Sequence, residues 1–130
     1  MKETEVVLLV EDSEEDVFLF KRALRKSGVP AEMLLASDGK AAVSILSDPE
    51  KRAKISLIFL DLKLPFLNGF EVLNWIQSQN FDPALRVVVL SGSSYKTDTV
   101  LAEELGAMDY VVKPITAEAI REHHSMLYVK

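Results

Sequence analysis

Ile55-Ser56-Leu57-Ile58-Phe59-Leu60-Asp61 is an apolar run that stops on a carboxylate, and its reading decides the fold. It does not alternate between apolar and polar residues. Unbroken runs rich in Val, Ile and Leu mark strands whose two faces are both covered, as in parallel sheets. Working outward, Val6-Val7-Leu8-Leu9-Val10 and Val87-Val88-Val89-Leu90 repeat the pattern, and weaker strands fit at 33–36 and 108–112. Between them lie helical patterns. Ser13-Glu14-Glu15-Asp16 resembles a capping box and opens a helix carrying Val17, Phe20 and Leu24, stopped by Gly28 and Pro30. Asp38 caps a second, through Ala42, Ile45 and Leu46, stopped near Pro49. Asn68 caps a third, with Val72, Leu73 and Ile76 on one face. Ser94 or Thr97 starts a fourth, ended by Gly106, and Thr116 starts a fifth with Ile120, His124 and Leu127 at helical spacing. Five strands alternating with five helices predict an α/β, doubly wound, five-stranded parallel sheet with helices on both faces.

The 130 residues, 48% hydrophobic, suit one domain over 1–130, with no repeat or low-complexity linker. Such a chain buries roughly two-thirds of its unfolded surface and needs no staple. Cysteine is absent, which removes disulfides, thiolate metal sites and cysteine nucleophiles together and fits a cytoplasmic protein. No apolar run approaches the ~18 residues of a membrane span, and the acidic start Met1-Lys2-Glu3-Thr4-Glu5 does not open a signal peptide. The net charge is −5, and the basic pairs Lys21-Arg22, Arg25-Lys26 and Lys51-Arg52 are scattered. Direct nucleic-acid binding, which needs clustered cations, is not expected.

In a doubly wound sheet, ligands bind outside the carboxyl ends of the strands. Those ends carry Glu11-Asp12, Asp61, Ser91 and Lys113-Pro114. Alone, each has a plain reading: an acidic first helical turn, a turn aspartate, a capping loop, a solvated lysine. Together they gather three carboxylates, a hydroxyl and an ammonium at one edge. Clustered carboxylates repel, so one pKa rises or a cation binds. An all-oxygen donor set favours a hard ion, Mg²⁺ or Mn²⁺ in its place. Hydroxyl and ammonium suit phosphoryl oxygens, and a carboxylate can be the nucleophile of phosphoryl transfer.

Val10-Glu11-Asp12, Asp61-Leu62-Lys63-Leu64-Pro65, Asn68-Gly69, Ser91-Gly92, Tyr110 and Lys113-Pro114 together resemble the receiver domains of two-component response regulators. The resemblance runs from Val6 to the final helix. It implies a flavodoxin-like (βα)₅ fold and a phosphorylation-dependent switch, fed by a sensor histidine kinase and acting through protein contacts, not an enzyme on other substrates. Asp61 would be the phosphoacceptor. Asp12, Asp61 and the backbone carbonyl of Lys63 would ligate Mg²⁺, with Glu11 acting through water. Lys113 and Ser91 would bind phosphoryl oxygens, and Tyr110 would turn inward as Ser91 moves. Lys113-Pro114 would be cis, against about 5–6% of X–Pro bonds generally. The fourth helix, fifth strand and fifth helix would form the output face, and a homodimer through it.

Residues 10–30, with Asp16 and a long apolar first helix, are similar to stand-alone receivers paired with phytochrome-type kinases, and the start at Met1 favours a stand-alone regulator. Three rival functions fit the residues less well. Haloacid-dehalogenase-like phosphohydrolases need a second aspartate where Lys63 stands. A flavin carrier needs a phosphate loop where Glu11-Asp12 would repel phosphate. A phosphorylation-independent interaction module of the same fold would be expected to have lost one of these residues. Around the site, Gly92 is read as keeping access open where a side chain would crowd, and Lys63 and Ser93 stand where side chains tune dephosphorylation in the family. Phe66 is expected to fold onto the core, Phe70 and Trp75 to pack at its edge, and His123-His124, about 100° apart on a helix, to hold no metal.

Overall fold

A computed structural model describes residues 5–92 and 96–127. Strands β1 (Glu5–Val10), β2 (Ala31–Ala36), β3 (Ile55–Asp61), β4 (Val87–Ser91) and β5 (Asp109–Val112) form one parallel sheet in the order β2-β1-β3-β4-β5. Helices α1 (Glu14–Ser27), α2 (Gly39–Leu46), α3 (Pro49–Lys54), α4 (Gly69–Gln79), α5 (Lys96–Glu104) and α6 (Ala117–Met126) connect them. The expected five-stranded doubly wound sheet is present. None of the described helices is long and apolar enough to cross a membrane.

The strand residues sort by parity, which explains the unbroken runs. Val7, Leu9, Leu57, Phe59, Val88 and Leu90 meet Phe20 and Leu24 of α1 and Ile120 of α6. Leu8, Val10, Ile58, Leu60, Val87 and Val89 meet α2, α4 and Ala102 of α5. The runs 6–10, 57–60 and 87–90 of the three inner strands are therefore apolar at every position because each face has its own helical layer. Phe20 and Phe59 meet at 5.0 Å between ring centroids.

Three details depart from expectation. Pro49 does not simply stop a helix: α2 ends at Leu46, and Asp48 caps α3 with Pro49 in its first turn. Proline suits that position because its missing N–H would have no intrahelical partner there. Thr97 lies inside the first turn of α5 rather than before it, while Ser94 and Ser93 fall outside the described residues. Phe66 does not fold onto the core. It has φ 67° and is 76% exposed, with the Lys40 ammonium 5.6 Å from its ring.

Candidate functional site

The strand order reverses about β1, which pairs β2 on one side and β3 on the other. That switch point is where a doubly wound sheet opens a crevice. Parity decides what faces it. Glu11 continues Val7 and Leu9, Asp61 continues Leu57 and Phe59, and Lys113 continues Val111, all on the face covered by α1 and α6. Ser91 continues Val87 and Val89 on the opposite face, and Tyr110 pairs with Val89 in register. The sheet thus sends the acids and the lysine one way, and the hydroxyl and the half-buried tyrosine the other.

Glu11 is 1% exposed, Asp61 4% and Ser91 3%, whereas Asp12 is exposed. Carboxylate oxygens of Glu11, Asp12 and Asp61 lie within 4.8 Å of one another. Lys113 Nζ donates to Asp16 Oδ2 at 2.8 Å and Glu11 Oε1 at 3.0 Å, and stands 3.5 Å from Asp61 Oδ1. Glu11 Oε2 accepts from the Asp12 and Ser13 backbone N–H groups at 3.1 and 3.2 Å. Burial pushes the Glu11 carboxyl up to about 7, aided by the charge of Asp61 and opposed by the bond from Lys113. For Lys113, burial works against the charged form. Bonds to Asp16 and Glu11, with the charge of Asp61, outweigh it and hold the ammonium above the usual lysine range.

Backbone geometry fixes these side chains. Glu11 N–H donates to Ala36 O at 3.0 Å, Leu62 N–H to Leu90 O at 3.3 Å and Lys113 N–H to Ser91 O at 2.7 Å. These bonds carry the sheet ladder past each strand end. Lys113-Pro114 is cis, as the resemblance implies, and Asp82-Pro83 is cis as well. The loop after Asp61 is pinned from below: a Cβ on Gly69 would lie 2.5 Å from Asp61 O, and one on Gly39 would lie 2.0 Å from Leu67 O. Only glycine lets α4 start this close to the end of β3.

A cleft of about 340 Å³ opens over the cluster, lined by Asp16, Leu19, Asp61, Lys63, Gly92, Lys113 and Pro114. Hollows of about 630 and 710 Å³ lie beside α1 and β2 and near Arg52 and Arg86, and neither gathers three carboxylates. Gly92 does line the cleft, but a Cβ there meets nothing within 4 Å, so crowding would take a longer side chain than alanine. Lys63 is exposed, with its N–H 3.4 Å from Asp61 Oδ1. His123 reaches Asp109 Oδ2 and Ala119 O, both at 2.6 Å, and His124 reaches Glu5 Oε2 at 2.6 Å. Neither belongs to the carboxylate cluster of Glu11, Asp12 and Asp61, the group among the described residues whose geometry could hold a metal ion. Phe70 and Trp75 pack at the core edge.

The residue missed from sequence is Asp16, which enters the site through Lys113 from the first turn of α1. In the sequence Asp16 stands out within the resemblance over residues 10–30 and as a capping partner three residues after Ser13, and neither reading brings it to the lysine.

The family described as response regulator receiver domain matches residues 7–125. Response regulator Rcp1 of Synechocystis sp. is 36% identical over 111 residues, 83% of this chain and 76% of that protein. The Mn²⁺-bound form of Rcp1 superposes with TM-score 0.74 at 35% identity, covering 92% of this chain and 88% of that one. The bacteriophytochrome response regulator AtBRR superposes with TM-score 0.83 at 31% identity, covering 99% and 96%. A probable cyclic di-GMP phosphodiesterase of Vibrio cholerae is 31% identical over 115 residues, 88% of this chain but only 24% of that protein.

Proposed function

The chain belongs to the response regulator receiver family, and from that premise we propose that it is a phosphorylation-dependent signalling switch whose acceptor is Asp61. The observation that carries this is the meeting of Glu11, Asp12, Asp61 and Lys113 at the switch point of the sheet. A histidine kinase, phytochrome-type by likeness to AtBRR, is the donor. An Asp61 carboxylate oxygen bonds to the phosphorus as the phosphohistidine P–N bond breaks, and the imidazole leaves with a proton. The switch works in the cytoplasm, as one receiver domain over 1–130 that acts only on its own aspartate.

The three clustered carboxylates are an oxygen-only set suited to a hard divalent ion. Asp12, Asp61 and the Lys63 carbonyl would hold Mg²⁺, or Mn²⁺ in its place, with Glu11 acting through water. When bound, that ion offsets charge on the transferred group. Lys113 pairs with one phosphoryl oxygen. Ser91, drawn from its own side of the sheet, hydrogen-bonds another, and Tyr110, its neighbour on that face, turns inward behind it. The surface of α5, β5 and α6 is thereby reshaped by a population shift, not a new fold. A downstream protein reads that face, and a homodimer forms through it. Sedimentation with and without beryllofluoride tests the dimer: no change in mass on addition contradicts it.

Intact mass after incubation with acetyl phosphate and Mg²⁺ tests the switch itself. One phosphoryl adduct that requires Mg²⁺ and vanishes in Asp61→Asn is expected. No adduct under rapid quenching would favour an interaction module that works without phosphorylation.

A further inference from the structure

Among the oxygens around Lys113, the nearest belongs to neither a strand-end acid nor the acceptor. Asp16 Oδ2 is at 2.8 Å, against 3.0 Å for Glu11 and 3.5 Å for Asp61. At 3.5 Å the Asp61 contact lies beyond the 2.7–3.2 Å range of a good N–H···O bond. The start of α1 supplies an independent observation. Ser13 caps it, accepting from Asp16 N–H at 3.3 Å, and in a complete capping box the Asp16 carboxylate would return a bond to Ser13 N–H. Ser13 N–H donates instead to Glu11 Oε2 at 3.2 Å, and the Asp16 carboxylate turns to Lys113. At α4, Asn68 and Glu71 complete the same box.

We propose that Asp16 is a positioning residue that holds the Lys113 ammonium toward α1, ion-paired to Asp61 but short of a good hydrogen bond to it, until a phosphoryl group competes for it, and so restrains phosphorylation of the resting protein. This rests on Asp61 being the acceptor. Two effects act in the same direction. A lysine engaged by Asp16 and Glu11 has to be drawn away before it can meet the incoming group. Asp16 also lines the cleft mouth through which a doubly anionic donor enters, and like charges repel. Asp16 is partly exposed, with 30% of its side chain accessible, so the restraint is one a phosphoryl oxygen can overcome.

The test measures adduct formation from acetyl phosphate at saturating Mg²⁺ in the full chain, for wild type, Asp16→Asn and Asp16→Glu. Asp16→Asn should phosphorylate about three- to tenfold faster, a change in barrier of up to about 1.4 kcal/mol, and Asp16→Glu should return to the wild-type rate. A purely structural role would not give this rescue. In ¹⁵N spectra, the Lys113 ammonium signal should exchange with water more slowly in wild type and Asp16→Glu than in Asp16→Asn. A wild-type protein that takes phosphoryl on Asp61 while Asp16→Asn reacts at the same rate, or more slowly, overturns the restraint alone. A wild type that takes none overturns the functional reading, and the restraint with it.

Discussion

Helices α1 and α4 open with the same kind of signal and use it differently. At α4, Asn68 and Glu71 bond reciprocally, and the capping groups serve the helix alone. At α1, Ser13 does half of that work, its N–H goes to Glu11, and the Asp16 carboxylate goes to Lys113. Both helices start beside the acidic cluster, so the difference lies in which carboxylate can reach the lysine. A capping residue next to a half-buried cation is recruited by the site, and the helix makes do with one bond. The chemistry of the cleft therefore begins in a local motif that, read by itself, would be only a helix start.

Several substitutions would break or sharpen that contrast. The largest effect is expected at the glycines that seat the α4 end of the cleft. Gly39→Ala places Cβ 2.0 Å from the Leu67 carbonyl oxygen, and Gly69→Ala places it 2.5 Å from that of Asp61. Backbone has to move in both, at about 3 kcal/mol for Gly39→Ala and slightly less for Gly69→Ala. Urea denaturation reads the loss, and Gly69→Ala should also weaken divalent-cation binding, because the backbone it displaces is that of Asp61.

At the α1 end the next effect is a pH dependence. The folded Glu11 carboxyl titrates near 7 and the unfolded one near 4.5. Between these values the folded state holds a proton that the unfolded state has lost. The stability this gives is fully present below about pH 4.5 and is lost as pH rises through about 7, by at most on the order of 3 kcal/mol. Lys113 stays charged throughout that window, so it does not reverse the sign. Without divalent cations, wild type should therefore become less stable from pH 4.5 to 8, and Glu11→Gln should flatten the curve. An unchanged slope in Glu11→Gln would show that other groups set it.

Smaller effects separate the two helix starts. Glu71→Ala breaks the α4 box and should lower stability by about 0.5 kcal/mol without altering phosphorylation kinetics. Asp16→Ala should cost less than about 1 kcal/mol, since its ion pair is partly solvated and Ser13 still caps α1. Its main readout is kinetic. Gly92→Ala, whose Cβ meets open space, should change the urea midpoint by no more than about 0.5 kcal/mol equivalent.

Much of this was legible in the chain because it is local. The strands announced themselves by composition, Asp61 and Ser91 by ending apolar runs, and Asn68 and Thr116 by capping the helices they precede. What stayed hidden depends on distant pairs. The strand order follows from packing across the sheet, and the short helix after Asp48 turns on a proline that ends or starts helices equally well. Gly39 gains its meaning only from Leu67, and Asp16 only from Lys113, 97 positions away. Phe66 was misplaced because hydrophobicity argued for burial, while its left-handed backbone turns the ring outward.

The most direct test of the acceptor assignment is borohydride reduction of the protein after acetyl phosphate and Mg²⁺ treatment, followed by peptide mass mapping. Reduction of an aspartyl phosphate yields homoserine. Homoserine at position 61, dependent on Mg²⁺ and absent from the untreated protein, is the predicted result. Homoserine at another aspartate, or none where intact mass shows the adduct, would contradict the assignment of Asp61.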